Sequence, residues 1–316
     1  ILRTAAEPQR STSPTEPSPW VVKTSMPAAK TRMASGIING KIYAAGGNNG
    51  GVSTATSTLL VYDPVANSWE TKDSMPTARW GSTAAVVDNK LFVVSGSVSP
   101  IGMGYGSTKN ESYDPSTNQW TTQADLPNVW TPTTGWGMAA DAFNGKLYAV
   151  GGYNWSSGGM SKVREYDAAA NSWTFKTDMP TARSWLGAEF IDGKLYAVGG
   201  YNYNNTINST ALEVYDPATN LWTAKQVMPF GLTGAATVVF GGKLYVMGGY
   251  TGTYGPTGYY SRVYVYDPLL NMWERLDDLP EARAEAVAEA TNDGIYLIGG
   301  VTTGGAAVNS VFYWKP

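Results

Sequence analysis

The 316-residue chain contains neither cysteine nor histidine. Without a thiol it forms no disulfide and carries no thiolate nucleophile; without an imidazole it has no Ser-His-Asp arrangement and no ordinary zinc or copper site. Charge is scarce as well. Only 15% of residues are charged and the formal net charge is −3, where a typical globular chain is about a quarter charged. No basic patch, acidic tail or polybasic run occurs, so neither nucleic acid nor an anionic membrane surface is an expected partner. No apolar run reaches the ~18 residues of a spanning helix, so no membrane insertion is expected. Helical periodicity is missing throughout.

What the chain has in quantity is Trp (12), Tyr (20) and Gly (36), and much of it falls in register. Trp20, Trp69, Trp120, Trp173, Trp222 and Trp273 recur about every fifty residues, a period that marks a repeat architecture. Six residues after these stand Met26, Met75, Leu126, Met179, Met228 and Leu279, each followed by proline. A strand then ends in paired glycines at Gly46-Gly47, Gly151-Gly152, Gly199-Gly200, Gly248-Gly249 and Gly299-Gly300, with Ser95-Gly96 in the second unit. A variable loop leads to Tyr62, Tyr113, Tyr166, Tyr215 and Tyr266, each seven residues before the next Trp. The segments between are rich in Val, Ile, Tyr and Trp and divided by Asn-Gly, Asp-Gly and Asp-Pro turns, which reads as antiparallel strands, four per unit. The large apolar area of Trp and Tyr places them between neighbouring sheets.

The paired glycines, the Tyr seven residues before a Trp and the Met-Pro-x-x-Arg together resemble the kelch repeat over roughly residues 20–316. The resemblance implies an all-β fold, a six-bladed β-propeller. It implies less about function, since kelch propellers include protein adaptors, lectin-like modules and a few enzymes. Galactose oxidase, a kelch-like enzyme, works through a copper centre with His and a Cys-linked Tyr, and neither residue type exists here. The last unit stops at Tyr313-Trp314, while the strand Trp20 to Lys23 has no blade before it. The N-terminal strand is therefore expected to complete the sixth blade and close the ring. Residues 1–19, rich in Ser, Thr, Pro and Glu, read as a disordered linker ahead of a compact domain over 20–316. A linker there, and Ile at position 1, suggest a piece of a longer protein with an upstream domain or anchor. The polar composition and the Asn-x-Ser/Thr triplets at Asn110, Asn154, Asn204 and Asn208 point to an extracellular or periplasmic setting, with the cytoplasm left open.

The aromatics outside the repeat register carry the functional expectation. Trp80, Trp130, Trp136, Trp155 and Trp185 lie in or beside loops of one face, as do Tyr105, Tyr153, Tyr201, Tyr203, Tyr250, Tyr254, Tyr259 and Tyr260. Variable loops rich in aromatics on a rigid frame are the form a binding surface takes; the alternative is local packing within the loops. Tyr153, Tyr201 and Tyr250 directly follow the paired glycines, and Asn48, Ser97 and Val301 take that place in the other blades. In kelch adaptors, which the chain resembles, that position contacts bound peptide. A second ring lies six residues past the Met or Leu at Arg32, Gly81, Trp185, Gly234 and Glu285, and in the third unit, which has five extra residues, counting back from Lys146 places Gly137 there. In the third unit the insertion Asn128 to Thr134 is expected over the mouth, and Trp136 matches Trp80. Four residues further come Gly36, Ala85, Asp141, Glu189, Val238 and Glu289. Three carboxylates on innermost strands are unusual. They could hold a cation, work as an acid/base pair, or pair with Arg79, Arg183 and Arg283, the last being the preferred reading.

The leading expectation is a recognition module without chemistry, cofactor or metal, binding a glycan or a neutral peptide or protein segment through Arg32, Asn48, Trp80, Trp130, Trp136, Tyr153, Trp155, Trp185, Tyr201, Tyr203, Tyr250, Tyr254 and Glu285. A cation or water in the central channel is compatible with it. The alternative is an enzyme without metal or thiol, similar to a sialic acid mutarotase, with Glu285, Glu289, Glu189, Asp141 and Arg32 as its acid/base and anchoring groups. A third reading is a spacer or assembly part of a larger surface protein.

Overall fold

A computed structural model describes residues 19–50, 54–98, 106–127, 135–154, 158–202, 207–251 and 258–316. The chain is a six-bladed β-propeller, with no helix among the described residues. The innermost strands, facing the central channel, are Ala34–Ile38, Thr83–Val87, Trp136–Phe143, Gly187–Ile191, Ala236–Phe240 and Val287–Thr291. Each opens an antiparallel blade of four strands that runs outward by consecutive hairpins. The sixth blade is closed as the sequence implies: Val21–Lys23 pairs with Val311–Trp314, in the register Val21 to Tyr313. Of the linker expected over residues 1–19, only Pro19 is among the described residues. Asn110 and Asn154 are buried, which removes both as glycan acceptors in the folded protein.

The apolar core is divided among the spaces between blades. Ala34, Leu59 and Val61 of the first blade meet Leu91, Val93 and Tyr113 of the second, and Ile42 and Tyr62 meet Val287, Tyr296 and Ile298 of the sixth. The repeat aromatics bind these spaces together. Tyr62 packs on Trp69 at 5.0 Å between ring centroids, and the same pair recurs in the next four blades. Each of these Trp indoles donates to a carbonyl just past the outer strand of the preceding blade: Trp69 to Thr24, Trp120 to Asp73, Trp173 to Ala124, Trp222 to Thr177 and Trp273 to Gln226.

A residue the repeat pattern contains but aromatic spacing does not explain completes this tie. Asn67 stands two residues before Trp69 at φ 49°, in the left-handed conformation that Asn tolerates better than most side chains. Its Oδ1 accepts from Tyr62 Oη at 2.6 Å and from the Thr24 amide of the preceding blade at 3.0 Å. Asn118, Asn171, Asn220 and Asn271 repeat both bonds. Satisfying a backbone amide from the neighbouring blade makes each blade an obligatory partner of the last.

At the closure Trp20 packs on Trp314 at 5.3 Å and is 6% exposed. Trp20→Ala is expected to destabilise the whole ring by ~3–5 kcal/mol, the range for emptying a buried aromatic site. Denaturant unfolding should show one cooperative transition at lower midpoint; loss of the sixth blade alone, as a separate transition, would contradict closure.

Candidate functional site

Where the chain passes from the outer strand of one blade to the inner strand of the next, the six positions expected to form a second ring are linked to one another through the backbone. The amide of Arg32 donates to the Glu285 carbonyl at 3.0 Å, Gly81 to Arg32 at 2.9 Å, Gly137 to Gly81 at 3.1 Å, Trp185 to Gly137 at 2.7 Å, Gly234 to Trp185 at 2.9 Å and Glu285 to Gly234 at 2.7 Å. The ring is closed. Each amide and each carbonyl serves a different neighbouring blade, which requires the backbone to be left-handed at all six positions, with φ between 53° and 67°. Glycine meets that requirement without strain in three blades. Arg32, Trp185 and Glu285 carry side chains there, and left-handed backbone costs an ordinary L-residue about 1–2 kcal/mol.

The three side chains cover the ring. The Trp185 indole lies against Gly81 and Gly137, so close that a Cβ on Gly137 would stand 2.9 Å from it. Glu285 reaches over Gly234, where a Cβ would be 3.3 Å from its Cγ. Arg32 Nε lies 2.7 Å from Glu285 Oε2, and Nη2 donates to Oε1 at 3.0 Å, a two-pronged ion pair. The guanidinium also sits 5.0 Å from the Trp80 ring and 5.5 Å from Trp185, whose planes are within 6° of parallel. The aromatics continue through Trp136, 5.9 Å from Trp80, to Tyr153, 5.2 Å further on.

Several expected ligand contacts turn out to be the underside of this surface. Trp80, Trp136 and Tyr250 are buried, as is Asn48, whose Oδ1 accepts from the Gly50 amide of its own loop. The reason is a second tier of bridges: the residue before each ring position pairs with the one after the paired glycines, as in Thr31 with Asn48, Trp80 with Ser97, Ser184 with Tyr201 and Thr233 with Tyr250. That pairing draws the loop root inward. Trp185, Tyr153 and Tyr201 remain half-exposed, while Glu285 is buried under its ion pair. Trp130, Trp155, Tyr203 and Tyr254, with Tyr105, lie outside the described residues.

Below the ring the inner strands enclose a cavity of about 300 Å³. Asp141, Glu189 and Glu289 line it, four residues and therefore about 13 Å along the strands from the ring. The expected pairing with arginine does not occur. Arg79 binds Glu111 at 2.8 Å, Arg183 binds Glu213 at 2.7 Å, and Arg283 binds Glu281 at 3.1 Å. The first two carboxylates stand in the third strand of the same blade, two residues before its Tyr, a column whose acidic members mark the true partners. The channel carboxylates instead take neutral donors from the next blade. Asp141 accepts from the Phe190 amide at 2.7 Å, Glu189 from Thr237 Oγ1 at 2.7 Å, and Glu289 from Ser35. No three acidic side chains among the described residues converge into a group that could hold a metal ion.

Comparison with known proteins fits this geometry. A model of the KLHDC2/KLHL20/DRC7 Kelch-repeats domain matches residues 81–300, and one of the Kelch motif matches residues 29–76. The chain belongs to the kelch-repeat family. It is 29% identical over 176 residues to Kelch-like protein 36 of Rattus norvegicus, a stretch covering 52% of this chain and 26% of that protein. Over 55 residues, 17% of the chain and 11% of the relative, it is 38% identical to Kelch repeat protein M-T8 of Myxoma virus. The matched stretch spans about a quarter or less of these relatives' length. The solved structure of YjhT superposes with a TM-score of 0.76 at 18% identity, covering 92% of this chain and 96% of that one, a likeness of fold. Kelch propellers are typically protein-binding or scaffold modules. No helix among the described residues is long and apolar enough to cross a membrane.

The channel of this kelch propeller is electrostatically unbalanced. Burial pushes Asp141 up to about 6 and Glu289 up to about 7, with the charge on Asp141 adding to the second. Glu189 is raised well above the carboxylate range by burial, then by Asp141 and Glu289. A carboxyl whose folded pKa exceeds its unfolded value stabilises the fold fully below the unfolded pKa and loses that contribution as pH rises through the folded pKa. The propeller is therefore expected to lose at least about 1 kcal/mol between pH 5 and pH 8. Glu189→Gln, which keeps an acceptor for Thr237, should flatten the pH dependence of thermal melting; an unchanged slope would mean that these carboxylates are solvated and uncoupled.

Proposed function

We propose that this kelch propeller is a recognition module that seats a neutral segment of a partner protein on the channel mouth. One observation carries the reading: Arg32, Trp185 and Glu285 occupy left-handed ring positions that glycine fills in the other three blades. Strained backbone persists where a side chain is needed for something besides folding. The chemistry of those side chains selects the ligand. Arg32 is the cation of the mouth ring and its charge is already met by Glu285 at 2.7 Å, so an acidic peptide gains no anchor there. What remains is the half-exposed Trp185 with Tyr153 and Tyr201 beside it, apolar faces with polar edges, suited to an uncharged extended segment.

Trp185→Asn tests this directly, because Asn accepts the left-handed backbone while removing the indole. The expected result is at least a tenfold loss of affinity for a peptide selected by display, a common effect of removing a central aromatic, with stability changed by less than about 2 kcal/mol. Unaltered affinity would overturn the reading. A display screen that finds nothing while a glycan array responds would assign the same face to sugar.

A second reading, a sugar mutarotase or epimerase, draws support from the channel: carboxylates titrating near neutrality suit general acid–base work. They lie about 13 Å below the ring, behind the Arg32–Glu285 pair and Trp185. Sugar interconversion by the wild type that disappears in Glu289→Gln would replace the first reading with this one.

A further inference from the structure

We infer that Arg164 is the buried half of a site for a small monovalent anion. Arg164 lies in the third strand of the third blade, opposite Ala149 on one side and Phe175 on the other. It stands two residues before Tyr166, the column that holds Glu111 in the second blade and Glu213 in the fourth. In those blades the column supplies the negative charge for a buried arginine, Arg79 or Arg183. The third blade reverses the sign.

Each of the other buried cations described in this layer has at least one hydrogen-bond partner for its terminal nitrogens. Arg283 of the sixth blade donates to the Gly299 carbonyl at 3.1 Å and Ser310 Oγ at 3.0 Å, and Lys30 of the first donates to Thr56 Oγ1 at 2.7 Å. Arg164 is 1% exposed, yet neither its Nε nor its Nη1 has a hydrogen-bond partner among the described residues. The Phe175 ring lies 5.8 Å from the guanidinium carbon. The nearby carboxylates are committed elsewhere: Asp178 to Lys162 at 2.7 Å, and Glu165 to Lys146 and Lys176 at 2.9 and 3.2 Å. Burial draws the Arg164 pKa down to about 10, against the pull of Asp178. The arginine position of the third blade, two residues before the ring position Gly137, is Gly135, so that blade has no side chain there and Arg164 is its buried cation. The chain thus supplies no carboxylate where the equivalent blades have one.

A buried, uncompensated charge is among the most destabilising features a fold can carry, and a counter-ion removes the penalty. Near-complete burial excludes a large or strongly hydrated anion, which leaves chloride and ions of its size. The planar guanidinium leaves a donor on each of two edges, the Nε–H on one and Nη1 on the other, and either one suits such an acceptor.

Thermal melting at constant ionic strength, with sodium gluconate replaced stepwise by sodium chloride, reads the site. Gluconate carries the same charge and is too large to enter. The expected result is a saturable rise of a few degrees in Tm for the wild type, as for any ligand that binds only the folded state, and no rise for Arg164→Met. Equal melting in the two salts, or the same increment in the variant, would overturn the proposal. Where Arg164→Met does not fold, crystals of the wild type grown in sodium bromide decide it: anomalous density against the guanidinium supports the site, and none there refutes it.

Discussion

Six hydrogen bonds, one between each pair of neighbouring blades, close on themselves around the top of the channel. A cyclic chain of this kind is demanding. Every member must donate toward one neighbour and accept from the other, and only left-handed backbone presents the amide and carbonyl of one residue in those two directions. The constraint explains why three of the six positions are glycine, and the other three are the large side chains of Arg32, Trp185 and Glu285. Where the mouth is only structural, Gly81, Gly137 and Gly234 satisfy the geometry and leave room above them; where it is covered, Arg32, Trp185 and Glu285 occupy that room.

The periphery repeats the same logic with side chains. In five of the six units the Asn two residues before the repeat Trp binds its own blade's Tyr and the preceding blade's backbone, while the Trp indole takes the adjacent carbonyl. Inner ring and outer clamps together leave each blade satisfied only when both neighbours are present, so the unit of stability is the ring. Between them the channel carboxylates add a third interblade contact of opposite character. Asp141, Glu189 and Glu289 reach neutral donors of the next blade and repel one another, so their contribution depends on being protonated.

Much of this architecture was legible in the sequence because propeller blades repeat and each repeat states the same facts again. Trp, Tyr and paired glycines recurring in register identify strands, turns and closure, and five of the ring positions can be counted from the Met-Pro or Leu-Pro pair, the sixth, Gly137, back from Lys146. Burial at the loop roots was not legible. Asn48, Trp80, Trp136 and Tyr250 look like surface residues because they adjoin variable loops, yet the bridge between each loop root and the preceding strand turns them inward. Arginine partners were misassigned for a related reason. Arg79 and Arg183 lie nearer in repeat position to the inner-strand carboxylates than to Glu111 and Glu213, but their side chains run outward along the blade; the acidic residue two before Tyr is the signal that identifies the pair. The Arg32–Glu285 contact closes the ring between the first and last blades, a separation no local pattern encodes.

The closed ring can be tested by amide hydrogen exchange. If it is the element on which the assembly depends, the amides of Arg32, Gly81, Gly137, Trp185, Gly234 and Glu285 exchange only through global unfolding, with one common protection free energy equal to the unfolding free energy. Exchange of these six amides at rates typical of surface loops, while the inner-strand amides below them stay protected, would contradict the account.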